Sequence, residues 1–199
     1  MKHANAFKSL VLPLMAASIA AAGSVMANEV TFIDGGYAEM CSSVAHNVDQ
    51  VDYVELTGTR MSISPIEICT KAIEDFTGTP RERAGSYTNR GVLLFDEGRL
   101  EEALRDFDQA IVLAETLAAA HINRGYTLIA MQRWADSIPS LDRGIELGAP
   151  EPARAHFNRA IAHEEVGNVR AAYDDYRKAS ELQPEWEEPQ RELARFRVR

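Results

Sequence analysis

The chain has 199 residues, 30 acidic against 21 basic side chains and a formal net charge of −9. That excess of negative charge argues against a nucleic-acid partner or an anionic membrane surface. The two cysteines are too few for a zinc site built on thiolates, and they lack the Cys-x-x-Cys spacing of a redox site.

In chain order, Lys2 and Lys8 open a segment with no acidic residue, the run 10–22 is mostly Leu, Val, Ile and Ala, and Val25-Met26-Ala27 precedes a polar switch at Asn28. A charged start, a short apolar run and small residues at the end are the pattern of a secretory signal peptide over 1–27. A membrane anchor is the alternative, but the run is short and Pro13 interrupts it. The working chain of about 170 residues is expected to begin near Asn28, exported to a periplasmic or secreted location, with no stable membrane insertion after cleavage. Cys41 and Cys69 are then expected to form a disulfide, on compartment and even count, with two buried free thiols as the alternative.

Residues 28–80 are less regular. Ser64-Pro65-Ile66-Glu67 has the composition of a helix start, and Ile66, Cys69, Ala72 and Ile73 then face one way. A partner helix is expected around 36–46, carrying Cys41, and 47–61 shows no helical period. The region is expected to be a degenerate helical repeat stapled by Cys41–Cys69, with a separate small domain as the alternative.

From Ala84 onward the sequence repeats. Tyr87-Thr88-Asn89-Arg90-Gly91 returns as His121-Ile122-Asn123-Arg124-Gly125 and as His156-Phe157-Asn158-Arg159-Ala160, at intervals of 34 and 35 residues. Downstream, Ala103, Ser137 and Ala172 correspond, as do Phe107, Leu141 and Tyr176, and Ala110, Gly144 and Ala179. Each copy carries two helical patterns: in the first, Tyr87, Gly91, Leu94 and Phe95 share a side, a turn follows at 96–99, and Leu100, Ala103, Leu104, Phe107, Ala110 and Ala114 return at threes and fours. The small residues let helices approach, and Phe107 and Tyr176 fill the space beside them. Pro139 is expected to bend or weaken the second helix of the middle copy.

The stretch 84–186 resembles three tetratricopeptide repeats, in 84–117, 118–152 and 153–186 within a region 81–186. Tyr87, Gly91, Ala103, Phe107 and Pro184 fit that family's pattern; Arg90, Arg124 and Arg159 depart from it, as do His121 and His156. The resemblance implies an all-α fold, a right-handed α-solenoid of helix-turn-helix repeats, closed by a C-terminal capping helix in 187–199. It also implies a bacterial exported member that binds a protein or peptide, without enzymatic activity and without cofactor or metal.

In that family the first helix of each repeat lines the concave face. The resemblance therefore places Asn89, Asn123 and Asn158 in a peptide groove, with Tyr126 and the cation Arg154 beside them. Amides offer a donor and an acceptor to an extended backbone; Asn held only by water or a neighbouring helix is the alternative. Arg90 and Arg159 are expected to bond the second helix of their own repeats, at Asp106 and Asp175, with a ligand-carboxylate role as the alternative; beside Arg124 the middle repeat has Ser140 instead, which leaves the scheme incomplete. An adaptor binding through its outer sides is a second functional reading. A metal or catalytic centre on His156 and His163, beside Glu164 and Glu165, is a third, resting on weak spacing. Arg191, Arg195, Arg197 and Arg199 are expected on a solvated face, paired with Glu187, Glu188 and Glu192.

Overall fold

A computed structural model describes residues 36–46, 54–56, 59–61 and 64–196. The signal segment 1–27 and the processing point at Asn28 lie outside the described residues, as do 47–53, Arg197 and Arg199. The chain divides between Glu115 and Thr116 into two compact units.

The first unit holds α1 (Gly36–His46), β1 (Val54–Leu56), β2 (Thr59–Met61), α2 (Pro65–Glu74), α3 (Pro80–Asp96) and α4 (Leu100–Leu113). The two strands pair antiparallel, Val54 opposite Met61 and Leu56 opposite Thr59, in the stretch where the sequence lacks a helical period. α2 begins with the expected box: the Ser64 hydroxyl accepts from the Glu67 N–H, and the Glu67 carboxylate accepts from the Ser64 N–H. Thr79 and Glu82 build the same box at the start of α3. Cys41 of α1 is bonded to Cys69 of α2. Met40, Val44, Ala45, Ile68, Ala72 and Leu93 are buried around the bridge. The buried face of α2 is thus Ile68, Cys69, Ala72 and Ile73, with Ile66 only partly covered.

The second unit holds α5 (Ala118–Ala130), α6 (Trp134–Glu146), α7 (Pro152–Glu165), α8 (Val169–Leu182) and α9 (Glu187–Leu193). α6 continues from Trp134 to Glu146 with Pro139, expected to bend it or weaken a turn, inside the helix. The missing N–H removes one hydrogen bond, and burial of Ser137, Ser140, Leu141 and Gly144 keeps the segment seated. α9 packs on α8. Phe196 sets its ring against Tyr173 and Tyr176, at 5.8 and 5.9 Å between centroids, and Trp186 lies 4.7 Å from Phe157.

Within the first two repeats the small residue and the large one sixteen positions on are in contact. A Cβ on Gly91 would fall 2.6 Å from the Phe107 ring, and one on Gly125 would fall 2.6 Å from Leu141. The glycines thus set how closely α3 meets α4 and α5 meets α6.

The three turns joining first to second helices share one hydrogen-bond scheme. Gly98 N–H donates to Phe95 and Arg99 N–H to Leu94; Gln132 and Arg133 repeat this onto Ile129 and Leu128, and Gly167 and Asn168 onto Glu164 and His163. The closing residue takes a positive φ each time, 76° at Gly98, 58° at Gln132 and 82° at Gly167. Gln132 has a Cβ that the left-handed conformation disfavours. Gln132→Gly is expected to raise stability by about 1 kcal/mol. Urea unfolding with an unchanged slope would read this as a higher midpoint; an equal or lower midpoint would show that no strain resides there.

Candidate functional site

Three arginines, one per repeat, tie first helices to second helices. Arg90 of α3 donates from Nε and Nη2 to the two carboxylate oxygens of Asp106 in α4, at 2.7 and 2.8 Å. Arg159 of α7 makes the same fork with Asp175 of α8, at 2.8 and 2.7 Å. Arg124 of α5 donates from Nη1 to the Ser140 hydroxyl of α6 at 2.5 Å. Each partner lies sixteen residues on, as the repeat alignment expects.

The second unit adds groups that the sequence reading did not foresee. Asp142 of α6 accepts from Arg159 Nη1 at 2.6 Å, and His156 lies 2.7 Å through Nδ1 from Asp175. An ionised carboxylate only accepts, so His156 donates there. Burial opposes ionisation of Asp175, but the bonds from Arg159 and His156 outweigh it and hold the carboxyl below its ordinary value. The same bonds keep Arg159 charged: Asp175 raises its pKa against the opposing effect of burial. The signal for Asp142 was present, because it follows Leu141 as Asp108 follows Phe107, but its arginine belongs to the next repeat.

Asn89, Asn123 and Asn158 stand at equivalent places on α3, α5 and α7. Asn89 is half-buried, whereas Asn123 and Asn158 are 4% and 3% exposed. The Asn158 amide donates to the Arg154 carbonyl at 3.0 Å, one turn back in its own helix. It also bonds Tyr126 of α5; burial, outweighing that bond, pushes the phenol above its ordinary value. Asn158, Tyr126 and Arg154 therefore come together where α5 meets α7, which are in contact. Arg154 is half-exposed and pairs with Glu151 at 3.1 Å.

His156 is engaged with Asp175, so the residue suggested for a metal is part of the arginine–carboxylate network. Burial lowers the pKa of His163, which favours its neutral form. Among the described residues, no group of three or more His, Cys, Asp or Glu side chains is placed to hold a metal ion. No helix among them is long and apolar enough to cross a membrane. Arg191 pairs with Glu187 and Glu188, and Arg195 with Glu192 and with Glu164 of α7.

Two tetratricopeptide-repeat profiles match, one over residues 84–116 and one over 122–185. The chain is 28% identical over 134 residues to the tetratricopeptide repeat protein 36 homolog of Drosophila pseudoobscura pseudoobscura, covering 65% of this chain and 71% of the relative. It is 30% identical over 95 residues to the Hsp70-Hsp90 organizing protein of Triticum aestivum, covering 48% of this chain but 16% of that relative. A solved structure, the first TPR of Spaghetti (RPAP3) bound to the HSP90 peptide SRMEEVD, aligns with a TM-score of 0.56 at 19% identity, over 59% of this chain and 92% of that one. At that identity the likeness is one of fold. Residues 84–116 and 122–185 are tetratricopeptide repeats, and it is to that family that this part of the chain belongs.

Proposed function

We propose that this chain is an exported, non-enzymatic scaffold of the cell envelope that captures a peptide or protein segment on its first helices. Proteins of this repeat family bind peptides or proteins, and one structural relative holds an HSP90 peptide. The observation that carries the reading is the junction of α5 and α7. There Tyr126, Asn158 and Arg154 converge, and Arg154 pairs with the partly exposed Glu151. A carboxylate on the partner can displace Glu151 at small cost, because an exposed pair contributes about 0–1 kcal/mol. Asn89 and Asn123 supply further amides at the same position of their repeats. Asn89 is half-buried and Asn123 buried, so a ligand reaches them only by close approach.

The test is a pull-down from envelope extract with the mature chain, followed by calorimetry against the recovered partner. Arg154→Ala is expected to weaken binding about tenfold or more at low salt, the effect of losing one charge-assisted bond, and less at high salt. A folded Asn89→Ala/Asn123→Ala/Asn158→Ala variant is expected to lose a micromolar interaction. If both variants bind as wild type, the first helices are not the site and the outer-side adaptor reading takes precedence. Export is checked separately by N-terminal sequencing, which should return a start near Asn28; a retained Met1 in the membrane pellet would refute it.

A further inference from the structure

The Cys41–Cys69 bond has a counterpart in the other repeats. Cys69-Thr70-Lys71-Ala72 aligns with Phe107-Asp108-Gln109-Ala110, which puts Cys69 at the place of the large residues Phe107 and Leu141. Tyr37 and Cys41 are spaced as Tyr87 and Gly91, and Cys41 holds Cys69 as Gly91 meets Phe107 and Gly125 meets Leu141. α1 and α2 thus take the places of a repeat's helix pair, with a covalent bond where the other pairs set a small residue against a large one. The cysteines lie 28 residues apart, and the longer connection between them carries β1 and β2.

That place is closed to solvent, and both cysteines are 0% exposed. The Ser86 carbonyl of α3 lies 3.7 Å from Cys41 Sγ, and the Cys41 carbonyl lies 3.7 Å from Cys69 Sγ. Met40, Val44, Ile68, Ala72 and Leu93 cover the rest. Thiol–disulfide exchange starts when a thiolate reaches a sulfur. While α1 is seated, apolar side chains exclude that thiolate and the carbonyl oxygens repel it. α1 has eleven residues, packs on α2 and α3, and is too short to persist alone as a helix. α2 and α3 each begin with a capping box and pack on each other. Lifting α1 off α3, still tied to α2, is therefore the smallest motion that uncovers the bond.

We propose that Cys41–Cys69 is a shielded redox latch, which a dithiol reductant opens only after α1 has left α3. One thiolate of the reductant attacks a cysteine sulfur and forms a mixed disulfide; the other cysteine sulfur leaves as a thiolate and takes a proton. The second thiol of the reductant then displaces the remaining cysteine. Two electrons and two protons pass to the chain, and the dithiol becomes a cyclic disulfide. α1 is then free to leave α2 as well. The latch lies within the first unit and does not depend on the first helices binding anything.

The test follows reduction of the oxidised chain by dithiothreitol, quenched by alkylation and read by mass spectrometry, at several urea concentrations below the unfolding transition. Reduction of the folded chain is expected to be about a hundredfold or more slower than in urea that unfolds it. Its rate is expected to rise with urea on a slope well below that of global unfolding, because α1 alone gains solvent contact. Met40→Ala, which loosens the seat of α1, is expected to speed native reduction about tenfold or more. Leu128→Ala, a truncation of a buried residue in α5 of the second unit, is expected to leave it unchanged. Reduction as fast in the folded as in the unfolded chain, or a rate independent of urea, would mean direct attack and overturn the proposal. The full unfolding slope, or equal acceleration by Leu128→Ala, would overturn it too, because the bond would then open only with the whole chain.

Discussion

Asp175→Asn is expected to lower stability at neutral pH by about 3 kcal/mol, the low end for removing one partner of a buried ion pair. Asp175 is 7% exposed at its side chain and takes three charge-assisted bonds, two from Arg159 and one from His156. The amide keeps the shape but loses the charge. Its NH₂ group must then face a guanidinium or an imidazole N–H, both donors. The loss stays at the low end because Arg159 retains Asp142, whose side chain is 46% exposed. The pH dependence has a definite sign. The folded-state pKa of Asp175 lies below its ordinary value, so its contribution is complete above about pH 4 and is lost as the pH falls through the folded value. Denaturant titrations across this range should show the wild type and the variant converging in acid. A constant gap down to the lowest pH would assign the effect to packing and not to the charge.

The sixteen-residue spacing of the arginine partners was legible because both members of each pair lie in one repeat, where alignment exposes them together. Asp142 was not, although it aligns with Asp108, because contact between successive repeats has no fixed signature in a single copy. The position of the asparagines was likewise legible, but their depth was not. Periodicity assigns Asn123 and Asn158 to a helix face, and only the neighbouring helices determine that they are buried. The Thr79 capping box was available in Thr79-Pro80-Arg81-Glu82, which has the composition of Ser64-Pro65-Ile66-Glu67. Gln132 hid a left-handed turn because the residue usual there is glycine, and the hydrogen bonds of the turn hold it despite its side chain. The short pairing of β1 with β2 left no alternation long enough to read. The helical fold came from many weak signals at one period, whereas a binding surface depends on a few side chains whose exposure that period does not determine.

Cys41→Ala/Cys69→Ala is expected to destabilise the first unit by about 3.5 kcal/mol, from the loop-closure entropy of a bridge between residues 28 apart. The cost falls on a segment with little else to fix it. α1 has eleven residues, too short to hold helical structure alone in water, and it is seated by the cluster around the bridge. The bridge removes from the unfolded chain the freedom of the loop that contains β1 and β2. Once it is absent, the contacts of Met40, Val44 and Ala45 with Ile68 and Ala72 must order that loop unaided. Hydrogen exchange should accordingly rise most in α1 and α2 and least in α5–α9. The measurement begins with alkylation of unreduced, unfolded protein and mass spectrometry, where two labelled cysteines would refute the bridge. Denaturant unfolding of the oxidised chain, the reduced chain and the double variant then follows. Reduced wild type and double variant should agree, because loss of the crosslink is common to both. If reduction leaves the midpoint unchanged, packing alone holds α1 on α2. The bridge would then be a consequence of an oxidising compartment and not a support of the fold.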